Sequence, residues 1–241
     1  MPMKPEPRAL PRRFYKTVEV EETAEGFEVR LDGRALKTPA KRRLSAPTAA
    51  LASLIAEEWR GQDEVIDPET MPATRIVNVA IDRIGDTREA LADEAASYAS
   101  TDLVCYLADD DPNLAAHEET VWAPLRVWAA ETLGIALEPV AGIVAREQPA
   151  ASMTAARARA LELDDIGLAA FAHAMGLLGS AVLAFALLHG RLDAAAAFAA
   201  SRLDEAYQET RWGVDAEAAA RTARLAADLA ALEAVMRARL A

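Results

Sequence analysis

The hydrophobic period of this chain changes once, near Ser45, and that change sets the order in which sheet and helix must be built. Before it, Phe27, Val29 and Leu31 alternate with Glu28, Arg30 and Asp32, the period-2 signature of a strand with one buried face. Phe14, Val18 and Val20 repeat the pattern upstream. The Glu25-Gly26 turn joins the two runs, and Asp32-Gly33 starts a second hairpin into residues 34–38 before Pro39 breaks it. These residues predict a small antiparallel sheet.

After Ser45 the spacing is helical. Leu51, Leu54, Ile55 and Trp59 fall on one stripe, with Gly61 as the stop signal, so this helix is expected to cover the sheet. Met71-Pro72 opens a helical run through Arg83, and Thr87 reads as the N-cap of another helix to about Ser100, with a short loop around Gly85 between them. Residues 136–144 have strand-like content interrupted by Pro139 and Gly142, and are a candidate to return to the sheet. Beyond Met153 the chain is Ala-rich and helical, ending in a stripe of Leu225, Leu229, Leu232, Met236 and Leu240. The expectation is an α+β protein, with a sheet and its covering helix in 1–70 and an all-helical domain in 71–241.

Ile166 to Leu188 contains no Asp, Glu, Lys or Arg. As one helix it would reach about 35 Å, enough to cross a bilayer. His173, Ser180, three glycines, and flanks of Asp164-Asp165 and Arg191 without a basic cluster favour a buried central helix instead. The formal net charge is −12, and it is uneven: residues 1–43 hold 11 Lys/Arg against 7 Asp/Glu, and the rest 15 against 31. An acidic body repels phosphate backbones, which argues against nucleic acid and for a basic protein surface as partner. Lys41, Arg42 and Arg43 read first as a solvated loop, second as a local anion contact. Cys105 is the single cysteine, so no intramolecular disulfide forms and a reducing compartment is expected. The N-terminal MPMKPEPRALPRR has neither the apolar core of a secretory signal nor the amphipathic helix of a presequence, and is expected to be an untethered tail.

The sequence offers little for catalysis. His117, His173 and His189 are scattered, His117-Glu118-Glu119 lacks the second histidine of a zinc protease, and no metal or cofactor is expected. Asp109-Asp110-Asp111-Pro112 lacks the oxygen spacing of a calcium loop and reads as a helix cap or solvated loop. Phosphate-binding glycine loops and the Gly-x-Ser-x-Gly elbow are absent. Trp59, Trp122 and Trp128 read as core anchors, and Trp212, at a helix end, as either core or interface. The segment Ser201 to Gly213 stands apart. Glu205 and Glu209 project from one helical face as a like-charge pair, Leu203 and Tyr207 share the adjoining apolar face, and Gly213 fits the left-handed position that closes a helix. It reads as a helix held down by its underside and presenting carboxylates to a partner.

Six segments, in order, resemble the Atp-twelve family, the assembly chaperones of the catalytic sector of F-type ATP synthase that bind its alpha subunit. They are RRFYK (12–16), FEVRLDGRALKTPAK (27–41), IAEEWRGQ (55–62), IDPETMPATRIVNVAID (66–82), STDLVCY (100–106) and SRLDEAYQETRWG (201–213). The resemblance implies a small N-terminal alpha/beta domain followed by an orthogonal helical bundle. It also implies an ATP-independent chaperone that holds the alpha subunit transiently and hands it to beta. Leu203, Asp204, Glu205, Tyr207 and Gln208 match the family's pattern in the last segment, which makes Glu205 the partner-binding position, with Glu209, Arg202 and Trp212 beside it. Trp59 matches a position where substitution is expected to harm folding, and Tyr207, Leu203 and Gly213 are expected to be structural. The missing long presequence separates this chain from eukaryotic members and points to a bacterial cytoplasm, not a mitochondrial matrix. After Lys41 every basic residue is Arg, as a GC-rich coding bias would produce.

Three alternatives stay open on the residues. Glu205 could simply pair with Arg202. A small enzyme could use Asp102, Glu205 or Glu209 in a cleft between sheet and bundle. A membrane-associated factor could use Ile166 to Leu188. No small-molecule substrate is expected under the chaperone reading.

Overall fold

Alternation produces the sheet where the side chains predicted it. In the computed structural model, which describes residues 10–144, 146–213 and 216–241, strand β1 (Val18–Thr23) pairs antiparallel with β2 (Gly26–Leu31), Val20 opposite Val29. Gly26 turns the chain at φ +113, and a Cβ there would lie 2.6 Å from the Ala46 carbonyl oxygen, so only glycine fits. The short strands β3 (Arg34–Ala35) and β4 (Ser45–Ala46) also pair antiparallel with β2. Of the expected untethered tail, residues 1–9 lie outside the described residues, whereas Pro11, Arg12 and Arg13 are not untethered but pair with residues 64–66.

Phe14 departs from the expected alternation. It is 72% exposed, while Tyr15 beside it is 4% exposed. The cause is a change of partner: Arg13 N–H donates to the Glu64 carbonyl (2.9 Å) and Ile66 N–H to that of Pro11 (2.8 Å), so this segment pairs with the loop before the second helix and not with the sheet.

Helix α1 (Ala49–Arg60) starts at Thr48, whose hydroxyl accepts from Leu51 N–H, and it buries Leu51, Ala52, Ile55 and Ala56 while packing on β1 and β2. Helix α2 (Pro72–Val79) passes through a π-turn at Ala80–Ile84 directly into α3 (Gly85–Ser100). No loop forms around Gly85, which is helical at φ −53, ψ −38, and Thr87 caps nothing; its hydroxyl donates back to the Arg83 carbonyl (3.1 Å). A π-turn adds a residue and shifts the buried face without ending the helix, which is how the stripe could break while the backbone continued.

A 3-10 turn at Leu103–Cys105 leads to β5 (Tyr106–Leu107), and α4 (Pro112–Trp128) follows. Asp111 caps α4 by accepting from Asn113 and Leu114 N–H, the capping role expected of the acidic run. Residues 136–144 do not return to the N-terminal sheet. They supply β6 (Val140–Ala141), which pairs in parallel with β5.

The remaining helices are α5 (Ala150–Leu161), α6 (Asp165–Leu178), α7 (Ala181–Leu188), α8 (Ala194–Ser201), α9 (Leu203–Trp212) and α10 (Ala216–Ala238). The uncharged stretch is divided between α6 and α7: Gly179 takes the left-handed conformation at φ +64, and Ser180 caps α7 by accepting from Leu183 N–H. Both helices lie in the core, where the Phe171 and Phe185 rings meet at 4.3 Å. Among the described residues no helix is long and apolar enough to cross a membrane. On α10 the buried positions include Leu229, Leu232, Val235 and Met236, whereas Leu240 lies past the helix end and is 71% exposed. One hydrophobic cluster runs from Val29 through Ile55 and Ile76 to Phe171, Phe185 and Leu232.

Candidate functional site

Three of the sequence segments interlock through their polar groups. Arg13 donates to the Gln62 carbonyl and, through Nε, to that of Tyr15 (3.3 Å); the Tyr15 hydroxyl donates to the Trp59 carbonyl (2.6 Å). The Gln62 amide donates to the Glu58 carbonyl and to Thr70 Oγ1 (3.0 Å each), and its oxygen accepts from Asp67 N–H (2.7 Å). Glu58 accepts from Ala73 N–H (2.6 Å), Thr74 N–H (2.8 Å) and the Thr74 hydroxyl (2.7 Å), capping α2, whose Pro72 needs no cap. Burial raises the Glu58 pKa, and the Thr74 and Ala73 hydrogen bonds oppose that rise. Trp59 is half-buried and meets the Tyr15 ring edge-on at 5.6 Å. Sequence reading found Trp59 but missed Glu58 and Gln62. The signal was present: Pro72 marks the helix start, and Met71 before it has no side-chain oxygen to accept from the Ala73 and Thr74 N–H groups, so an acceptor must come from elsewhere.

The basic loop is also bound inward. Asp82 accepts from the Thr38 hydroxyl (2.7 Å) and Ala40 N–H (3.0 Å), and Arg42 donates to the Ile81 carbonyl (2.6 Å). Arg43 lies 3.4 Å from the buried Glu28. Arg42 and Arg43 are thus occupied by the fold itself.

Helix α9 is organised differently. Leu203 is buried, and Tyr207 holds the helix to α4 by donating to Asp111 Oδ2 (2.9 Å). Arg211 stacks 4.4 Å over the Tyr207 ring and pairs with the same Asp111 oxygen (2.8 Å). The Tyr207 hydrogen bond holds the Asp111 carboxyl below its ordinary range, with burial opposing, and the same bond raises the Tyr207 phenol. Deeper in α4, Glu118 is 0% exposed; one carboxyl oxygen accepts from Ala108 N–H (2.7 Å), and the other has no hydrogen-bond partner among the described residues. Burial and then the Asp204 carboxyl push Glu118 up to about 7, against the Ala108 hydrogen bond.

The outer face of α9 differs from the expected like-charge pair. Glu209 is bound by Arg202 at 2.9 Å, whereas Glu205 is exposed and, among the described residues, has no ion-pair partner. The alternative pairing of Glu205 with Arg202 does not form. Gly213 closes the helix with φ +83 but ψ 170, so it occupies the glycine-only extended region and not the left-handed one. The Trp212 side chain lies outside the described residues. An open groove of about 560 Å³ runs between α9 and the start of α10, lined by Glu205, Gln208, Glu209, Ala218, Arg221 and Thr222 among others.

The carboxylates suggested for acid/base work do not converge. Asp102 is 0% exposed, and its carboxylate accepts from the Ser180 hydroxyl (2.5 Å), Val182 N–H (3.0 Å) and Val104 N–H (3.3 Å), so it ties the 3-10 turn to the start of α7. Burial raises it to about 6, opposed by those donors. Neither Asp102 nor Glu118 lines the groove that holds Glu205 and Glu209. Among the described residues no group of His, Cys, Asp or Glu could hold a metal ion. His189 packs edge-on against Trp128 at 5.9 Å, and burial pushes the Cys105 thiol up to about 12, with Asp102 adding to the rise and Arg126 opposing it. Both side chains read as structural.

Comparison with known proteins agrees with this arrangement. The family model described as ATP12 chaperone protein matches residues 12–130, the part that carries the interlocked segments. The mitochondrial protein atp12 of Schizosaccharomyces pombe is 28% identical over 221 residues, covering 87% of this chain and 76% of that protein. The crystal structure of Atp12 from Paracoccus denitrificans superposes with a TM-score of 0.89 at 39% identity, over 95% of this chain and 98% of that one. The Atu1473 protein of Agrobacterium tumefaciens gives 0.89 at 40%, over 95% and 86%. The same sheet, the same helix order and sequence identity across nearly the whole length lead to one conclusion: the chain belongs to the ATP12 chaperone family.

Proposed function

We propose that this chain is an ATP-independent assembly chaperone for the catalytic sector of ATP synthase. It binds the free alpha subunit transiently, keeps that subunit from aggregating, and releases it when beta takes its place. Its setting would be the bacterial cytoplasm. The observation that carries the reading is Glu205, an exposed carboxylate with no ion-pair partner among the described residues, on a helix fastened from beneath by Leu203 and Tyr207. A carboxylate left over on a rigid element is suited to a basic group of a client, and a charge-assisted contact of that kind contributes about 1.5 to 3 kcal/mol. The net charge of −12 favours approach of a basic surface.

Glu205→Lys tests this directly. Capture of untagged alpha subunit is expected to be lost, with far-UV circular dichroism and melting temperature within error of the parent. Unfolding of the variant would make Glu205 structural and remove the assignment. Undiminished capture would place the client contact elsewhere.

A further inference from the structure

A second groove, of about 470 Å³, opens on another part of the bundle and involves neither Glu205 nor Glu209. Its walls are helix faces: Arg75, Ile76 and Val79 of α2 at helical spacing, Ala169, Ala172 and His173 of α6, and Leu232 with Asp228 on α10. The groove exists because α6 puts small residues on this face. Alanines at 169 and 172 leave room that a leucine at either position would fill, so a further backbone can come close. Val79 stands at the groove 45% exposed, an apolar side chain with no cover from its own chain.

The charges in this groove are not used by the fold. Arg75 is half-buried and forms none of the ion pairs among the described residues, and the same holds for Asp228 across from it on α10. Arg75 favours the charged form of Glu58, yet the Glu58 oxygens are already taken by Ala73 and Thr74. Burial, with Arg75 adding to it and Asp228 opposing, lowers the His173 pKa, so the imidazole is neutral near pH 7 and does not compete for an anion.

We propose that this groove receives an apolar segment of the client polypeptide, flanked by a carboxylate that meets Arg75 and a cation that meets Asp228. The inference rests on the client-holding reading above. Long α10 supplies residues to both grooves, Arg221 and Thr222 to one and Asp228 and Leu232 to the other, so one client could engage both along a single rigid element. Helical stripes on every wall fit an amphipathic turn or helix, held by its apolar side chains and oriented by its charges.

Val79→Cys, labelled with a thiol-reactive benzophenone, places a single photo-crosslinker at the groove, because Cys105 is buried and its thiol is pushed up to about 12. With isolated alpha subunit, the cross-link should map to an apolar segment with acidic and basic residues on either side. Ala172→Trp, which fills the groove, and Arg75→Glu, which reverses its cation, should each weaken capture roughly tenfold. The Arg75 variant decides the matter if the tryptophan unfolds the bundle. If the parent captures the alpha subunit and both variants capture it equally well, the groove inference is overturned while the functional reading stands. A cross-link to a second copy of this chain also overturns it. If the parent captures no alpha subunit, the functional reading fails first, and this inference with it.

Discussion

Glu58 and Glu118 each sit where two helices meet, and burial raises the pKa of both, yet they are treated in opposite ways. At the α1–α2 joint, Glu58 accepts three hydrogen bonds, two of them from the unsatisfied backbone donors at the start of α2. At the α4–α9 joint, Glu118 is more deeply buried but accepts from one backbone N–H, its other oxygen has no hydrogen-bond partner among the described residues, and the Asp204 carboxyl adds to the rise in its pKa. The first joint is closed by complementary groups. The second leaves a buried carboxyl oxygen without a partner among the described residues. Both joints lie next to recognisable sequence segments, so the difference separates segments whose polar groups serve the fold from one whose polar groups are kept at the surface.

The largest effect is expected at the closed joint. Glu58→Ala leaves Ala73 and Thr74 N–H without their acceptor inside a packed interface, and should lower unfolding free energy by about 3 kcal/mol. Urea denaturation followed by tryptophan fluorescence measures it. A loss below about 1 kcal/mol would mean that water replaces the carboxylate, and that the joint is not closed as described. Capture of client, measured at a temperature where the variant is still folded, should be unchanged.

This contrast also explains what could be read in the sequence. The strands were legible because Val29 and Leu31 are buried in a core made from elsewhere in the chain and Arg30 between them is not, which writes period 2 into the letters; Glu28 departs from it, buried at 1% exposure beside Arg30 and Arg43. Helix α1 was legible for the same reason at period 3.6. Phe14 was misread because its partner is residues 64–66, and pairing with a distant loop leaves no local pattern. The break at Gly85 was misread because a π-turn shifts a stripe just as a loop would. At the candidate site, spacing placed Glu205 and Glu209 on one face but could not show that Arg202 reaches Glu209, seven residues away, and not Glu205. Glu118 gave no sequence signal because its burial depends on how α9 lies across α4.

The α4–α9 joint should respond to pH. Glu118 has a folded pKa of about 7, above its ordinary value, so its protonated form belongs to the native state. The stability it contributes is fully present below its unfolded pKa and is lost as pH rises through about 7. Glu118→Gln removes the titration. The variant should equal the parent near pH 5, exceed it by about 1 kcal/mol at pH 8, and flatten the stability profile between them. Thermal denaturation at the two pH values measures the difference. Equal slopes for parent and variant would show that Glu118 does not titrate between these pH values in the folded protein, and that its protonation contributes nothing to the α4–α9 joint.

The smallest stability effect, and the one that most sharpens the comparison, belongs to Arg202. Its pair with Glu209 lies at the partly exposed edge of α9, where such pairs contribute less than about 1 kcal/mol, so Arg202→Ala should shift unfolding by about 0.5 kcal/mol. The binding consequence has the opposite sign from that expected of a residue that contacts the client. Removing the guanidinium releases Glu209 and leaves two unpaired carboxylates, Glu205 and Glu209, one turn apart on the face proposed to meet a basic surface. If that face works through negative potential, Arg202→Ala captures the alpha subunit more tightly, by a factor of roughly two to five at low salt, and the gain fades as salt screens it. Weaker capture would show that Arg202 itself touches the client. The outer face of α9 would then act by fixed complementary contacts, as the closed joint does, and the distinction between the two regions would have to be drawn inside α9.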